Sequence, residues 1–257
     1  MRHIKDLDIK GKQVLIRCDY NVPISNGNIV DKFRVDASLE TIDYCLKNGC
    51  SIVLMSHLGR PNGRELSLSL YPIFEYLNKC YSNKVYFSKD CISGDSFSLS
   101  ASLEEGEMLL LENLRFYDEE LQCDKGFSKK LSEHGNVYIN DAFGTSHRAH
   151  ASNVGICEYF NVKASGFLID KEKKYLADSI QKNSSKITLI LGGAKISDKI
   201  KLLTRFLDIA DNILIGGAMS NNFLKAKGVS VGKSLYEEKY VEFAMDILNR
   251  KNKANIV

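Results

Sequence analysis

A chain of 257 residues has room for two small domains or one large one, and its 44% apolar and 26% charged content is that of an ordinary globular protein. A net charge of only +3 gives no general attraction for nucleic acid or an anionic membrane surface, so neither is expected as a partner. No apolar run approaches the roughly 20 residues that span a bilayer, and the charged start Met1-Arg2-His3-Ile4-Lys5-Asp6 lacks the apolar core of a signal peptide.

Short apolar runs alternate with amphipathic segments along the chain, the pattern of βαβ units and a parallel sheet. The first strand is predicted over Gln13–Arg17, with Pro23 ending the extended run. Alternate residues of a strand point the same way, so Arg17, Asp19 and Asn21 are expected on one face at its carboxyl end. Open α/β sheets place ligands there. A helix over Val35–Lys47 closes at Asn48-Gly49, and one over Ser67–Lys79 opens with a serine cap. Further strands are predicted over Ser51–Ser56, Lys84–Phe87, Met108–Glu112, Val137–Asn140, Ile187–Leu191 and Asn212–Ile215. Further helices are predicted over Phe127–His134, Lys171–Gln181, Asp198–Ala210, Ser220–Lys227 and Glu237–Lys251. The polar stretch Lys182-Asn183-Ser184-Ser185-Lys186 reads as a loop, which puts a domain boundary near it with the preceding helix as connector.

His57, Arg60, Arg115 and Arg148 each follow a predicted strand, and Arg34 precedes the first long helix. One such arginine would be solvated, but several on one sheet edge repel each other unless an anion neutralises them. Guanidinium groups suit bidentate phosphate binding, so a phosphorylated small acid fits this edge. His147 and His150 flank Arg148 and read as loop packing or solvent-facing residues; His3 and His134 carry no signal. Downstream, Gly192-Gly193 follows a buried-type strand and precedes a helix, a setting in which backbone N–H groups approach an anion. Lys195 and Lys199 would share a face of that helix. The run Gly228-Val229-Ser230-Val231-Gly232-Lys233-Ser234 imitates a phosphate loop but has one residue too few between its glycines and follows a helix, so Lys233 is read as a surface residue.

Five segments in this order resemble the phosphoglycerate kinase family. They are Arg17-Cys18-Asp19-Tyr20-Asn21, Ser56-His57-Leu58-Gly59-Arg60-Pro61, Leu111-Glu112-Asn113-Leu114-Arg115-Phe116, the stretch from Asn140-Asp141-Ala142-Phe143-Gly144 through His150, and Gly192-Gly193-Ala194-Lys195-Ile196-Ser197-Asp198-Lys199. The resemblance implies an α/β, two-lobed fold, each lobe a Rossmann-like parallel sheet flanked by helices. It divides the chain into a substrate lobe (1–169), a hinge helix (170–186) and a nucleotide lobe (187–257) that is incomplete in this chain. It implies reversible phosphoryl transfer between 1,3-bisphosphoglycerate and ADP, giving 3-phosphoglycerate and ATP with Mg²⁺, in a cytoplasmic monomer.

Carried over by residue, Asp19 and Asn21 would hold the glycerate hydroxyl and carboxyl end. His57, Arg60, Arg115 and Arg148 would hold the phosphate that is not transferred, and Arg34 the transferring phosphoryl. Lys195 would stabilise the same phosphoryl, and Lys199 would contact nucleotide phosphates together with Gly192 and Gly193. Gly216 and Gly217 would line the adenine side, where Ala218 replaces a third glycine. The metal-holding aspartate, the ribose glutamate, a glycine-rich loop and the returning tail of the family would all lie beyond Val257. The resemblance therefore predicts a truncated product with no detectable turnover of its own, and as the alternative an inert chain that only binds 3-phosphoglycerate. Seven cysteines without a C-x-x-C pair (Cys18, Cys45, Cys50, Cys80, Cys91, Cys123, Cys157) read as reduced packing residues rather than disulfides or zinc ligands.

Overall fold

Near-continuous apolar runs such as Val14-Leu15-Ile16 and Ile52-Val53-Leu54-Met55 are all buried, as strands covered on both faces require. In the computed structural model, which describes residues 2–181, 186–250 and 253–257, these runs form parallel strands. The chain divides into two units, Met1–Lys174 and Tyr175–Val257.

In chain order the first unit contains β1 (Gln13–Arg17), a two-stranded hairpin of β2 (Ile24–Ser25) and β3 (Asn28–Ile29), α1 (Phe33–Asp36), α2 (Leu39–Lys47) and β4 (Ser51–Met55). There follow α3 (Tyr71–Cys80), β5 (Val85–Phe87), α4 (Gly94–Ala101), β6 (Met108–Leu110), α5 (Asp118–Gln122), α6 (Lys125–Ser132), β7 (Val137–Asn140) and β8 (Lys163–Ser165). α7 (Phe167–Gln181) continues past the boundary between the units. The main sheet has six parallel strands in the order β5-β6-β4-β1-β7-β8. The chain therefore starts at a central strand and later crosses to its other side, which makes the carboxyl end of β1 a topological switch point.

Register places Leu15, Val53, Leu109 and Tyr138 in one core layer and Val14, Ile16, Ile52, Leu54, Leu110 and Ile139 in the other. Each such fully buried side chain contributes about 1.5–3 kcal/mol from burial.

The second unit has β9 (Thr188–Gly192), α8 (Ile200–Phe206), β10 (Asn212–Gly216), α9 (Ser220–Ala226), α10 (Val241–Asn249) and β11 (Asn255–Ile256). Its three strands are parallel in the order β11-β10-β9 around a core that includes Leu191, Leu203, Ile213 and Ile247. Among the described residues no helix is long and apolar enough to cross a membrane.

Several predicted bounds shift for local reasons. The helix expected over Val35–Lys47 is broken between α1 and α2, where Ser38 Oγ donates to the Val35 carbonyl at 2.7 Å and pairs with Tyr20 Oη at 3.0 Å. A serine hydroxyl that bonds its own backbone competes with the helix ladder. The helix expected from Ser67 starts at Tyr71, because Leu66–Leu68 forms a separate 3₁₀ turn; Ser69 Oγ, not Ser67, accepts from the Tyr71 N–H at 3.1 Å.

α6 begins at Lys125 because Asp124 caps the Phe127 N–H at 2.7 Å. The Ser-rich α4, capped by Ser93, and the short α5 and β8 carry no helical or strand period long enough to read from sequence. Residues 182–185 of the predicted boundary loop and Lys251 of the last predicted helix lie outside the described residues. All seven cysteines are free thiols, but Cys80 is exposed rather than packed.

Candidate functional site

The carboxyl ends of β1, β4, β6 and β7 lead into loops that surround one cavity of about 350 Å³, lined by Asp19, Asn21, Arg34, His57, Gly59, Arg60, Arg115, Gly144, Thr145 and Arg148. The seven residues that the resemblance assigns to the phosphorylated acid (Asp19, Asn21, Arg34, His57, Arg60, Arg115 and Arg148) are all in this lining. Four guanidinium groups face a single carboxylate, Asp19, whose Oδ2 lies 3.0 Å from Arg34 Nη1. Arg60, Arg115 and Arg148 have no carboxylate within 4.0 Å among the described residues. A larger cavity of about 630 Å³ on the same unit is lined by one guanidinium, that of Arg2, and lacks this convergence.

Hydrogen bonds between the loops set the geometry. Asn21 Oδ1 accepts from the Gly59 N–H at 2.8 Å, and Arg115 Nη1 donates to the Gly59 carbonyl at 2.5 Å. Gly59 has φ +63°, a conformation L side chains rarely adopt. Asn113 clamps the same loop: its Oδ1 accepts from Leu58 N–H (3.2 Å) and its Nδ2 donates to Leu58 O (2.8 Å). Ser56 Oγ donates to the Cys18 carbonyl at 2.8 Å and accepts from Tyr20 N–H at 2.9 Å, tying β1's end to that of β4. A Cβ on Gly144 would stand 2.7 Å from Asp19 Oδ2, so this glycine lets the β7 loop close on the carboxylate.

Electrostatics follow from this crowding. Burial, and then the nearby Arg17 and Arg115, push His57 down to about 2, so the ring is neutral. Burial, followed by Arg115 and Arg148, lowers His150 to about 4. Arg115 is itself lowered by burial and then by Arg148 and Arg17. Like charges held together in this way are relieved by an anion.

The expectation that Arg17, Asp19 and Asn21 share one face is corrected. β1 ends at Arg17, whose side chain is fully buried on the Leu15 side of the sheet and does not line the cavity. Asp19 and Asn21 reach the cavity from the loop that follows. His147 is exposed, whereas His150 is buried with Nδ1 3.7 Å from Glu120 Oε1. His134, without a sequence signal, is buried and bonded to Ser100 Oγ and the Cys91 carbonyl. Asn113, Ser56 and Glu120 were missed by sequence reasoning. Ser56 and Asn113 follow the ends of β4 and β6, and a polar residue after a strand was their only signal; Glu120, inside α5, had none.

On the second unit, Gly192 and Gly216 stand in register at the carboxyl ends of β9 and β10, and Gly193 and Gly217 follow them. Gly217 has φ +69°, and a Cβ there would lie 2.9 Å from the Gly193 carbonyl oxygen. Met219 N–H donates to that carbonyl at 3.0 Å. Ala218 is not at positive φ, so its methyl brings no backbone strain.

The helix expected to begin among the lysines starts only at Ile200, so Lys195 and Lys199 lie in the preceding loop and do not share a helical face. Lys195 is exposed and Lys199 half-buried. Glu237 accepts from Ser197 N–H and Oγ–H, both at 2.9 Å, between the two lysines in sequence. Lys233 is exposed, as predicted. No three His, Cys, Asp or Glu side chains converge to hold a metal ion among the described residues.

The family model described as phosphoglycerate kinase matches residues 4–257. The chain belongs to the phosphoglycerate kinase family. The phosphoglycerate kinase of Borrelia garinii subsp. bavariensis is 42% identical over 258 residues, and that of Clostridium botulinum 40% identical. These alignments cover 100% and 99% of this chain but 65% of each relative, so the chain spans about two thirds of their length.

Among solved structures, the Coxiella burnetii phosphoglycerate kinase superposes with a TM-score of 0.82 at 34% identity, covering 96% of this chain and 62% of that one. The Pyrococcus horikoshii phosphoglycerate kinase superposes at 0.84 with 30% identity, covering 98% and 65%. The six-stranded parallel sheet flanked by helices, with a second parallel sheet beginning the next lobe, is the phosphoglycerate kinase architecture.

Proposed function

We propose that this chain binds 3-phosphoglycerate in the first unit and nucleotide phosphates in the second, for reversible phosphoryl transfer between 1,3-bisphosphoglycerate and ADP. The observation that carries the reading is the convergence of Arg34, His57, Arg60, Arg115 and Arg148 on one cavity with Asp19 as its only acid. His57, Arg60, Arg115 and Arg148 are assigned to the phosphate that stays, which accepts charge-assisted hydrogen bonds from guanidinium forks. Asp19 accepts from the glycerate hydroxyl, and Asn21 keeps its Nδ2 for the carboxyl end while Oδ1 holds Gly59.

Transfer is an in-line displacement: an oxygen of the ADP β-phosphate bonds to the acyl phosphorus, and the bond to the carboxyl oxygen breaks, leaving 3-phosphoglycerate. No covalent nucleophile is required, and the protein's part is positioning and charge neutralisation. Arg34 is the first-unit cation assigned to the transferring phosphoryl, and Lys195 is assigned to the same charge when nucleotide is bound. Lys199 and the glycines 192, 193, 216 and 217 are assigned to the nucleotide. Mg²⁺ accompanies ADP and ATP in this reading; the described residues offer no ligand set for it, and no step is assigned to the ion.

The hinge role of residues 170–186 and a monomeric state belong to the same reading. Placement in the cytoplasm is supported by seven free thiols, which fit a reducing compartment. The test is ATP formation from 1,3-bisphosphoglycerate and MgADP by purified chain, against Arg34→Ala. Activity lost in that variant supports transfer by this chain. Binding of 3-phosphoglycerate without ATP formation selects the binding-only alternative.

A further inference from the structure

Behind the cavity wall lies a polar chain that ends on a carboxylate. Arg17 is fully buried, and no carboxylate comes within 4.0 Å of it among the described residues. Its Nε donates to Ser152 Oγ at 2.9 Å, its Nη1 to the Cys18 carbonyl, and its Nη2 lies 3.1 Å from His57 Nδ1. Ser152 in turn donates from Oγ to Glu120 Oε1 at 2.6 Å and from its N–H to Glu120 Oε2 at 2.9 Å. Glu120 is fully buried.

Donors and acceptors fix every direction in this chain. A guanidinium only donates. His57 Nδ1 must therefore accept, and the proton of the neutral ring sits on Nε2. Ser152 accepts from Arg17, so its hydroxyl proton points to Glu120, the terminal acceptor. A buried cation without a counter-charge is costly, and Glu120 supplies that charge one hydroxyl away.

We propose that Glu120 is a positioning residue of the cavity: through Ser152 it fixes Arg17, and Arg17 fixes the His57 ring so that it offers an Nε2–H donor to the bound phosphate. The last step rests on the anion reading given above. Burial and the surrounding arginines, which keep His57 from protonating, fit a ring that works as a neutral donor. Glu120 does not line the cavity; besides Ser152, its Oε1 has His150 Nδ1 at 3.7 Å.

The test uses the full chain labelled with ¹⁵N-histidine, as wild type, Glu120→Gln and Ser152→Ala, with thermal unfolding to establish that each variant folds. Long-range ¹H–¹⁵N correlations read the His57 tautomer, and titration with 3-phosphoglycerate reads the cavity. The expected result is an Nε2–H ring in wild type. Both variants shift its ¹⁵N signals toward a mixed tautomer and weaken 3-phosphoglycerate about tenfold, the cost of one buried hydrogen bond. Ser152→Ala keeps all charges, so its effect cannot come from a changed net charge. Unchanged His57 signals and affinity in folded Ser152→Ala would overturn the proposal. Shifted His57 signals in a protein whose wild type binds no 3-phosphoglycerate would uphold the positioning chain and refute the anion reading instead.

Discussion

Asn21 Oδ1 accepts the Gly59 N–H at 2.8 Å and so fastens the loop after β4 to the loop after β1. Arg115 Nη1 donates to the carbonyl of the same glycine, so one residue is held from two sides. Asn21→Ala removes the first hold. The expected loss is about 1 kcal/mol of stability, with weaker anion binding because Gly59 and its neighbours are no longer fixed. Asn21→Asp retains the acceptor and adds a negative charge to the lining. It should melt close to wild type yet bind 3-phosphoglycerate about tenfold more weakly, a loss that high salt reduces. Calorimetry at two ionic strengths separates the two.

Arg148→Ala and Arg60→Ala should each reduce affinity for 3-phosphoglycerate by about 10- to 100-fold while leaving thermal stability unchanged or slightly raised. The reason is that neither guanidinium has a carboxylate partner within 4.0 Å among the described residues and Arg148 lowers Arg115 electrostatically. Melting curves with and without ligand check both halves.

Asp141 shows a pH effect with a definite sign. Burial raises it from 3.8 to about 6, against hydrogen bonds from Thr41 Oγ1 at 2.5 Å and Ile169 N–H at 3.2 Å. A group raised in the folded state contributes stability below its unfolded value and loses it as pH rises through the folded one. Between about pH 4 and pH 7 the wild type should lose about 2 kcal/mol from this group. Asp141→Asn lacks that step. Denaturant titrations at the two pH values, taken as wild type minus variant, isolate the difference; the same change in unfolding free energy in both proteins would refute it.

Gly217→Ala forces a side chain to φ +69° and a Cβ to 2.9 Å from Gly193 O. A cost of about 2 kcal/mol or more is expected, confined to the second unit. Hydrogen exchange should show β9 and β10 losing protection while β1 and β4 keep theirs.

The thiols should react in the order of their exposure. Cys80 is exposed and reacts first; Cys18, buried and pushed up to about 12, and Cys91, also raised by burial, react only on unfolding. Timed labelling followed by peptide mapping reads the order.

The central strands were legible because a parallel sheet buries both faces and leaves unbroken apolar runs, as in Ile52-Val53-Leu54-Met55. β8, three residues at the sheet's edge, has too little pattern to be seen. The serines of α4 conceal it because serine favours caps and turns over helix interiors, although Ser93 in fact caps that helix.

In the site, Arg60, Arg115 and Arg148 were legible because a strand end fixes where the next residues lie, however far apart they are in sequence. Glu120 was not. It sits in the charged run Asp118-Glu119-Glu120, which reads as solvated, and only the fold brings Ser152 against it. Arg17 was misplaced for a related reason: the strand ends there, so the alternation that paired it with Asp19 stops.

The most direct measurement is a calorimetric titration of the chain with 3-phosphoglycerate, beside one with glycerate, which lacks the phosphate. Saturable one-site binding of 3-phosphoglycerate that weakens with salt, with no heat from glycerate, is the predicted result. A folded chain that binds neither acid, or both equally, would contradict a phosphate site built from Arg60, Arg115, Arg148 and His57.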